Sequence, residues 1–300
     1  MGTPRYRYSN LSAALRHGDS PLSQYLSHRF GDVAPIQKEY RQGCGPLLVE
    51  PTGANPATVG TAFDLAVRFI LAPNHVPETA MYGFGKDVEA LQMVSDLSSY
   101  AGEATIAPDG DWDELVRACW ALALCVNIYR RGPSPDSALV RLAERGRITI
   151  HDALALAPRG GLLEIGKMLD LAQTSLLPFL AEPVFVGPEF DLSVWCAADA
   201  DLIAAGSLID LKTHVGRKVA SGRASSLSRV ELFQVIAYAL FDSSDKYRVT
   251  GVGIYAARFA CLARWPLLEL LRTLSGDGEL TIDGERTRMR RTVVDGVTPG

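Results

Sequence analysis

A chain of 300 residues is long enough for one core with an appended subdomain, and its 47% apolar and 21% charged residues exclude a largely disordered or low-complexity protein. A net charge of −4 and a pI near 5.8 exclude a global electrostatic attraction to nucleic acid, so any such binding must rest on local basic patches. The opening Met1-Gly-Thr-Pro-Arg-Tyr carries no apolar signal stretch, and apolar runs such as 118–128 fall short of the roughly 20 residues a bilayer span needs, so a cytoplasmic protein without a membrane partner is expected.

In chain order, Asn10 or Ser12 can cap an early helix running toward His28. After the Gly/Pro-rich stretch 43–56, Thr58 or Thr61 opens a helix that ends before Pro73, with Phe63, Val67, Ile70 and Leu71 at three- and four-residue steps. Helical periods follow at about 86–100, 111–131, 135–145 and 160–176, separated by Gly132-Pro133 and by Pro158-Arg159-Gly160-Gly161. Beyond Pro178 the texture becomes β-prone, with short segments at 183–188, 192–197, 201–203 and 207–213. A strong helix is predicted from about Ser228 to Phe241, where Ser228 and Glu231 form a capping box. A strand at 247–255 leads to a helix near Arg264-Trp-Pro, and the tail 279–286 reads as a hairpin about Asp283-Gly284. Helices first, then strand–strand–strand–helix–strand, implies an α/β or α+β core within a single domain spanning 1–300.

The five cysteines, Cys44, Cys119, Cys125, Cys196 and Cys261, are odd in number and form no CxxC pair, so neither a disulfide framework nor a zinc knuckle is expected. Cys119 and Cys125 sit in an apolar helical run as small core residues. A nucleophilic role for Cys44 or Cys196 has no local signature. The five histidines are equally scattered. Two basic patches stand out: Lys212, Arg217, Lys218, Arg223 and Arg229, and then Arg286, Arg288, Arg290 and Arg291. Short basic runs also serve as plain solvated faces, but the first adjoins the most informative segment.

That segment is Ala198-Asp199-Ala-Asp201-Leu-Ile-Ala-Ala-Gly206-Ser-Leu-Ile-Asp210-Leu-Lys212-Thr213. A two-residue turn at Ala205-Gly206 pairs Ala204 with Ser207, Ile203 with Leu208 and Leu202 with Ile209. Asp201 then falls opposite Asp210, and Asp199 opposite Lys212, all on one sheet face. Opposed carboxylates repel, so the cluster favours a hard divalent cation, which takes oxygen ligands. Such an ion polarises a phosphoryl oxygen and acidifies a bound water, while a lysine orients that water or takes its proton and offsets charge in the transition state. The same pattern also fits the exposed face of an ordinary amphipathic hairpin.

Asp201, eight residues, then Asp210-Leu-Lys212 resembles the signature of the PD-(D/E)XK nuclease superfamily. Gln234 and Tyr238, on one face of the following helix, resemble the QxxxY motif of its RecB-type exonuclease branch. Gly60-Thr-Ala-Phe-Asp64 is similar to that branch's GTxxH start, with Asp64 where the metal-binding histidine would stand, and Ala200 replaces the proline of the superfamily's name. The resemblance covers about 181–258 as the catalytic core; residues 75–178 match nothing in it and read as a helical insertion or subdomain. It implies a restriction-endonuclease-like core, a mixed central sheet flanked by helices, with a largely helical N-terminal half. It further implies a stand-alone magnesium- or manganese-dependent nuclease of the repair or defence type with DNA as partner. Asp201 and Asp210 would hold the metal, with Asp199 and Asp64 as further ligands and Glu182 as a weaker candidate. Lys212, Gln234 and Tyr238 would complete the catalytic set, and Lys218, Arg223 and Arg229 would contact nucleic acid. The alternative is a catalytically silent fold of the same kind that binds nucleic acid or serves as a scaffold.

Overall fold

The computed structural model describes residues 5–105, 112–144, 146, 148–220 and 222–298. Its two ends meet: β1 (Arg5–Tyr6) pairs antiparallel with β9 (Val297–Thr298). Asn10 caps α1 (Leu11–Arg16), its side chain accepting from Ala13 N at 2.8 Å. The predicted helix toward His28 is in fact two. Pro21 starts α2 (Pro21–Arg29), because proline lacks the amide hydrogen needed inside a helix and fits only its first turn. After α3 (Ala34–Gly43), α4 (Pro56–Leu71) begins ahead of both threonines, since Asn55 accepts from Ala57 N and Thr58 N and Pro56 takes the first helical position.

Five shorter or longer helices follow α4 and its short successor α5 (Glu78–Met81): α6 (Val88–Ala104), α7 (Trp112–Arg131), α8 (Ala138–Ala143), α9 (Ile150–Leu154) and α10 (Arg159–Ser175). The predicted helical periods fall on α6, α7, α8 and α10; Asp111 and Arg145, at the ends of two of them, lie outside the described residues.

The remainder builds the sheet. It contains β2 (Val184–Val186), β3 (Leu202–Ala204), β4 (Ser207–Lys212), a small pair β5 (Arg217–Val219) and β6 (Gly222–Ala224), then α11 (Arg229–Phe241), β7 (Gly251–Ala256) and β8 (Cys261–Pro266). Two helices close the chain, α12 (Leu267–Ser275) and α13 (Ile282–Asp295). The main sheet has five strands in the order β2-β3-β4-β7-β8, antiparallel except for β4 beside β7. A parallel neighbour requires a crossover, and α11 supplies it.

The period-two alternation of the strands feeds an apolar core on each face. Ile203, Leu208, Val252 and Ile254 join α1–α3 and α11–α13 on one side. Leu202, Ala204, Ile209 and Tyr255 join α4, α6, α7 and α10 on the other. The molecule is thus an α/β protein with a mixed sheet between two helical layers. Both sheet faces are covered, so the hairpin carrying Asp210 is not an amphipathic surface hairpin. From Leu232 to Phe241, α11 has Gln234 as the one position that is not buried, as a helix sandwiched between sheet and outer helices requires. Among the described residues, no helix is long and apolar enough to cross a membrane.

Three expectations need correction. Residues 192–197 form no strand but continue a 3-10 turn at Asp191–Val194: Trp195 N and Cys196 N donate back to Leu192 O, and Ser193 Oγ accepts from Phe190 N and donates to Ala198 O, so local bonds fold the segment into a turn. The tail is no hairpin; Thr281 Oγ1 accepts from Gly284 N at 3.2 Å and caps α13, so Asp283-Gly284 opens a helix. Finally, Cys44, at the C-terminal cap of α3, is disulfide-bonded to Cys261, the first residue of edge strand β8, with Cα atoms 5.4 Å apart. Disulfides are rare in the cytosol, and this one was not expected from the scattered cysteines.

Candidate functional site

The β3–β4 turn has the predicted two residues. Ala205 and Gly206 carry φ of 45° and 77°, the positive values a type I′ turn demands at both positions. A Cβ on Gly206 would come within 2.8 Å of Arg248 O, which fixes glycine there. The register is Ala204↔Ser207, Ile203↔Leu208, Leu202↔Ile209, as predicted. One step on, Asp201 departs from a simple ladder position: its Oδ2 accepts from Leu211 N at 2.6 Å. That N–H is the one a continued ladder would have used. Asp199 consequently does not face Lys212 in a ladder; it is exposed and bridges Glu189 instead.

Asp210 is 2% exposed. Its Oδ2 lies 2.5 Å from Lys212 Nζ but outside hydrogen-bond geometry, and this buried oxygen has no hydrogen-bond partner among the described residues. Lys212 Nζ donates to Gln234 Oε1 at 3.3 Å. Gln234 Nε2 in turn donates to Tyr238 OH at 2.7 Å and to Ser12 Oγ at 3.4 Å. The two polar side chains of the apolar run 232–241 are thus partnered with each other, and Gln234 with the lysine. The capping box of Ser228 and Glu231 fixes where α11 starts, and hence which face carries Gln234 and Tyr238.

Asp64 reaches the cluster from α4, on the opposite face of the sheet, together with a residue that the sequence analysis did not single out. Arg68, one turn further on, donates from Nε to Asp64 Oδ1 at 2.9 Å, and its Nη2 lies 3.6 Å from Asp201 Oδ1. Gly187, with φ of 60°, makes room for it: a Cβ there would stand 2.3 Å from Arg68 Nη1. The i,i+4 spacing of Asp64 and Arg68 was visible as a helix-surface ion pair; that the pair is enclosed and touches Asp201 depends on the tertiary fold.

Three carboxylates, Asp64, Asp201 and Asp210, are therefore faced by two cations, Arg68 and Lys212. Burial pushes Asp201 up to about 7, with Asp64 adding to the rise and Arg68 and Lys212 pulling back. Asp210 is likewise pushed up to about 7, by burial first, against the pull of Lys212. Asp64 is raised by burial despite Arg68. Lys212 is drawn down by burial, yet Asp210 and Asp201 outweigh this and hold it above its ordinary value, as an ammonium ion. The protein's own cations leave the carboxylates undercompensated.

That deficit suits a divalent ion. The available donors are hard carboxylate oxygens, which magnesium and manganese prefer; Asp210 Oδ2, buried, has Lys212 Nζ 2.5 Å away as its one close cation among the described residues. Asp201 and Asp210 fit such an ion. Among the described residues, no three His, Cys, Asp or Glu side chains are gathered for a metal, and Asp64 is engaged by Arg68.

The remaining candidates are dispersed. Glu182 is exposed and accepts from Val184 N at 2.9 Å. Lys218 and Arg223 stand opposite each other on β5 and β6, Lys218 exposed and Arg223 donating to Gly216 O. Arg229, exposed, lies over the Phe233 ring and donates to Gly31 O. The second basic patch is not a continuous basic face. Arg286 is buried against Asp245 and Asp283, and Arg288 pairs with Glu285, because the helix replaces the expected hairpin; Arg290 and Arg291 are exposed. Neither cysteine weighed as a nucleophile is available, since Cys44 is disulfide-bonded and burial pushes the Cys196 thiol up to about 12. No family model matches the chain, and no curated protein or solved structure matches it either.

Proposed function

We propose that this protein is a magnesium- or manganese-dependent nuclease that hydrolyses phosphodiester bonds of DNA, in repair or in defence. The observation that carries the reading is the buried Asp210–Lys212 pair beside Asp201, tied through Gln234 to Tyr238. The order of α4, three antiparallel strands, α11 and parallel β7 is compatible with a restriction-endonuclease-like core.

Asp201 and Asp210 would hold the ion, which when bound polarises the phosphoryl oxygen and supplies a more acidic water. Everything else falls to the chain's own groups. Lys212 is kept protonated by its two aspartates, so its role is to orient the attacking water and to offset negative charge on phosphorus, not to take a proton in the free protein. Gln234 accepts from the ammonium and fixes its direction, while its amide donates to the Tyr238 oxygen. That leaves the Tyr238 O–H as a donor. Lys218, Arg223 and Arg229 would meet the phosphate backbone, a positioning contact that does not read sequence.

A second reading, a catalytically silent nuclease-like fold that binds nucleic acid or acts as a scaffold, is favoured by one observation: Arg68 already neutralises Asp64 and lies against Asp201. Cleavage of linear, circular and single-stranded DNA and of RNA, with Mg²⁺, Mn²⁺ or EDTA, separates the two. The nuclease reading expects metal-dependent cleavage that falls about 100-fold or more in both Asp210→Ala and Lys212→Ala. Cleavage of no substrate by the wild type, or equal cleavage by both variants, overturns it.

A further inference from the structure

Arg68 comes to the cluster from the helical layer opposite α11, and its side chain is only 11% exposed. An arginine so enclosed stays charged, and an enclosed charge must be paired. Its pairing is specific at the level of single oxygens. Asp201 Oδ2 accepts from Leu211 N, whereas the group facing Oδ1 is Arg68 Nη2, at 3.6 Å. Asp64 Oδ1 accepts from Arg68 Nε. Gly187 leaves the space into which Nη1 extends. On the other side, Lys212 Nζ lies 2.5 Å from Asp210 Oδ2, so Asp201 stands between an arginine that faces its Oδ1 and the Asp210–Lys212 pair.

A guanidinium and a divalent ion on the same carboxylate oxygen repel at short range in a poorly solvated site. We propose that Arg68, held by Asp64, is a resident counter-cation that competes with a divalent ion for Asp201, so that the free protein takes up the ion weakly for as long as the guanidinium stays in place. The proposal rests on the nuclease reading only in taking the ion to sit at Asp201 and Asp210. It assigns to Arg68 a control over ion loading that the acids and lysine alone would not have. It also gives a physical reason for an aspartate at position 64: a neutral side chain there would leave Arg68 without the carboxylate at 2.9 Å that holds it.

The test is Mn²⁺ binding to the metal-free full chain by calorimetry, without nucleic acid, for wild type, Arg68→Ala, Arg68→Gln and Arg68→Gln with Asp201→Asn. Both single variants are expected to bind Mn²⁺ about tenfold more tightly than wild type, and Asp201→Asn to abolish the gain. Arg68→Gln keeps the aliphatic stem, and circular dichroism establishes which variants are folded. If Arg68→Ala is poorly folded, thermal melts of Arg68→Gln with and without Mn²⁺ provide the same comparison, with a larger Mn²⁺-induced rise expected in the variant than in wild type. Equal or weaker binding by the folded variants overturns the proposal. Cleavage is scored alongside. A wild type that cleaves while the variants bind no more tightly overturns the competition and leaves the nuclease; a wild type that cleaves nothing while the variants bind tightly supports the competition and overturns the nuclease.

Discussion

Burial without full compensation at Asp201 and Asp210 has a consequence for stability as well as for ion binding. Both carboxyls titrate near 7 in the folded chain against an ordinary 3.8. The folded state therefore binds more protons than the unfolded state across that window, and by linkage its stability falls as pH rises. The contribution is fully present below 3.8 and is lost as pH passes about 7. The melting temperature of the metal-free protein is thus expected to fall between pH 5 and pH 8, and Asp210→Asn to flatten the fall. A wild-type melting temperature that holds level or rises over this range would sink that account. These residues were legible in the sequence because counting outward from Ala205-Gly206 fixes the register, and register fixes face. Arg68 was not: the resemblance brought Asp64 of α4 to the cluster, but nothing along the chain indicates that the arginine one turn further on meets Asp201 as well.

At the scale of elements, α11 was the most legible. Its capping box, its apolar run and the two polar exceptions all point to a helix buried on nearly every side, and Ser228 marks its start. Ser228→Ala removes the acceptor for Glu231 N, and is expected to lower stability by about 1 kcal/mol in chemical denaturation. No change in midpoint would mean that packing alone sets the helix start. The tail was misread for a definable reason. Asp-Gly serves equally as a type I′ turn and as the first turn of a helix, and the choice fell to Thr281, whose hydroxyl caps Gly284. Residues 192–197 are β-prone in composition, yet the bonds of Trp195 N and Cys196 N to Leu192 O and those of the Ser193 hydroxyl fold them locally into a turn. The helical region matched expectation in its long elements because they repeat an apolar face over several turns. Short α5 and α9 carry too few turns to show one.

The whole molecule was legible as a class and not as a path. Helices followed by strand–strand–strand–helix–strand implied a sheet with helical cover, but the strand order and the two separate cores are long-range facts. The Cys44–Cys261 bond is the clearest case, as its partners stand 217 positions apart with no motif to connect them. Together with the pairing of β1 and β9, it makes most of the polypeptide a closed ring. A ring opened once does not come apart. Trypsin cutting after exposed Lys218 in β5 should leave the portions ending at 218 and beginning at 219 joined through sulfur. Such a nicked protein is expected to remain one covalent species in denaturing electrophoresis without reductant and to separate into two bands once dithiothreitol is added. Two bands without reductant would show the ring to be open. A closed ring also means that a protease can cut between Cys44 and Cys261 without releasing either end, so a nicked molecule would keep its parts together long enough to pass for an intact one.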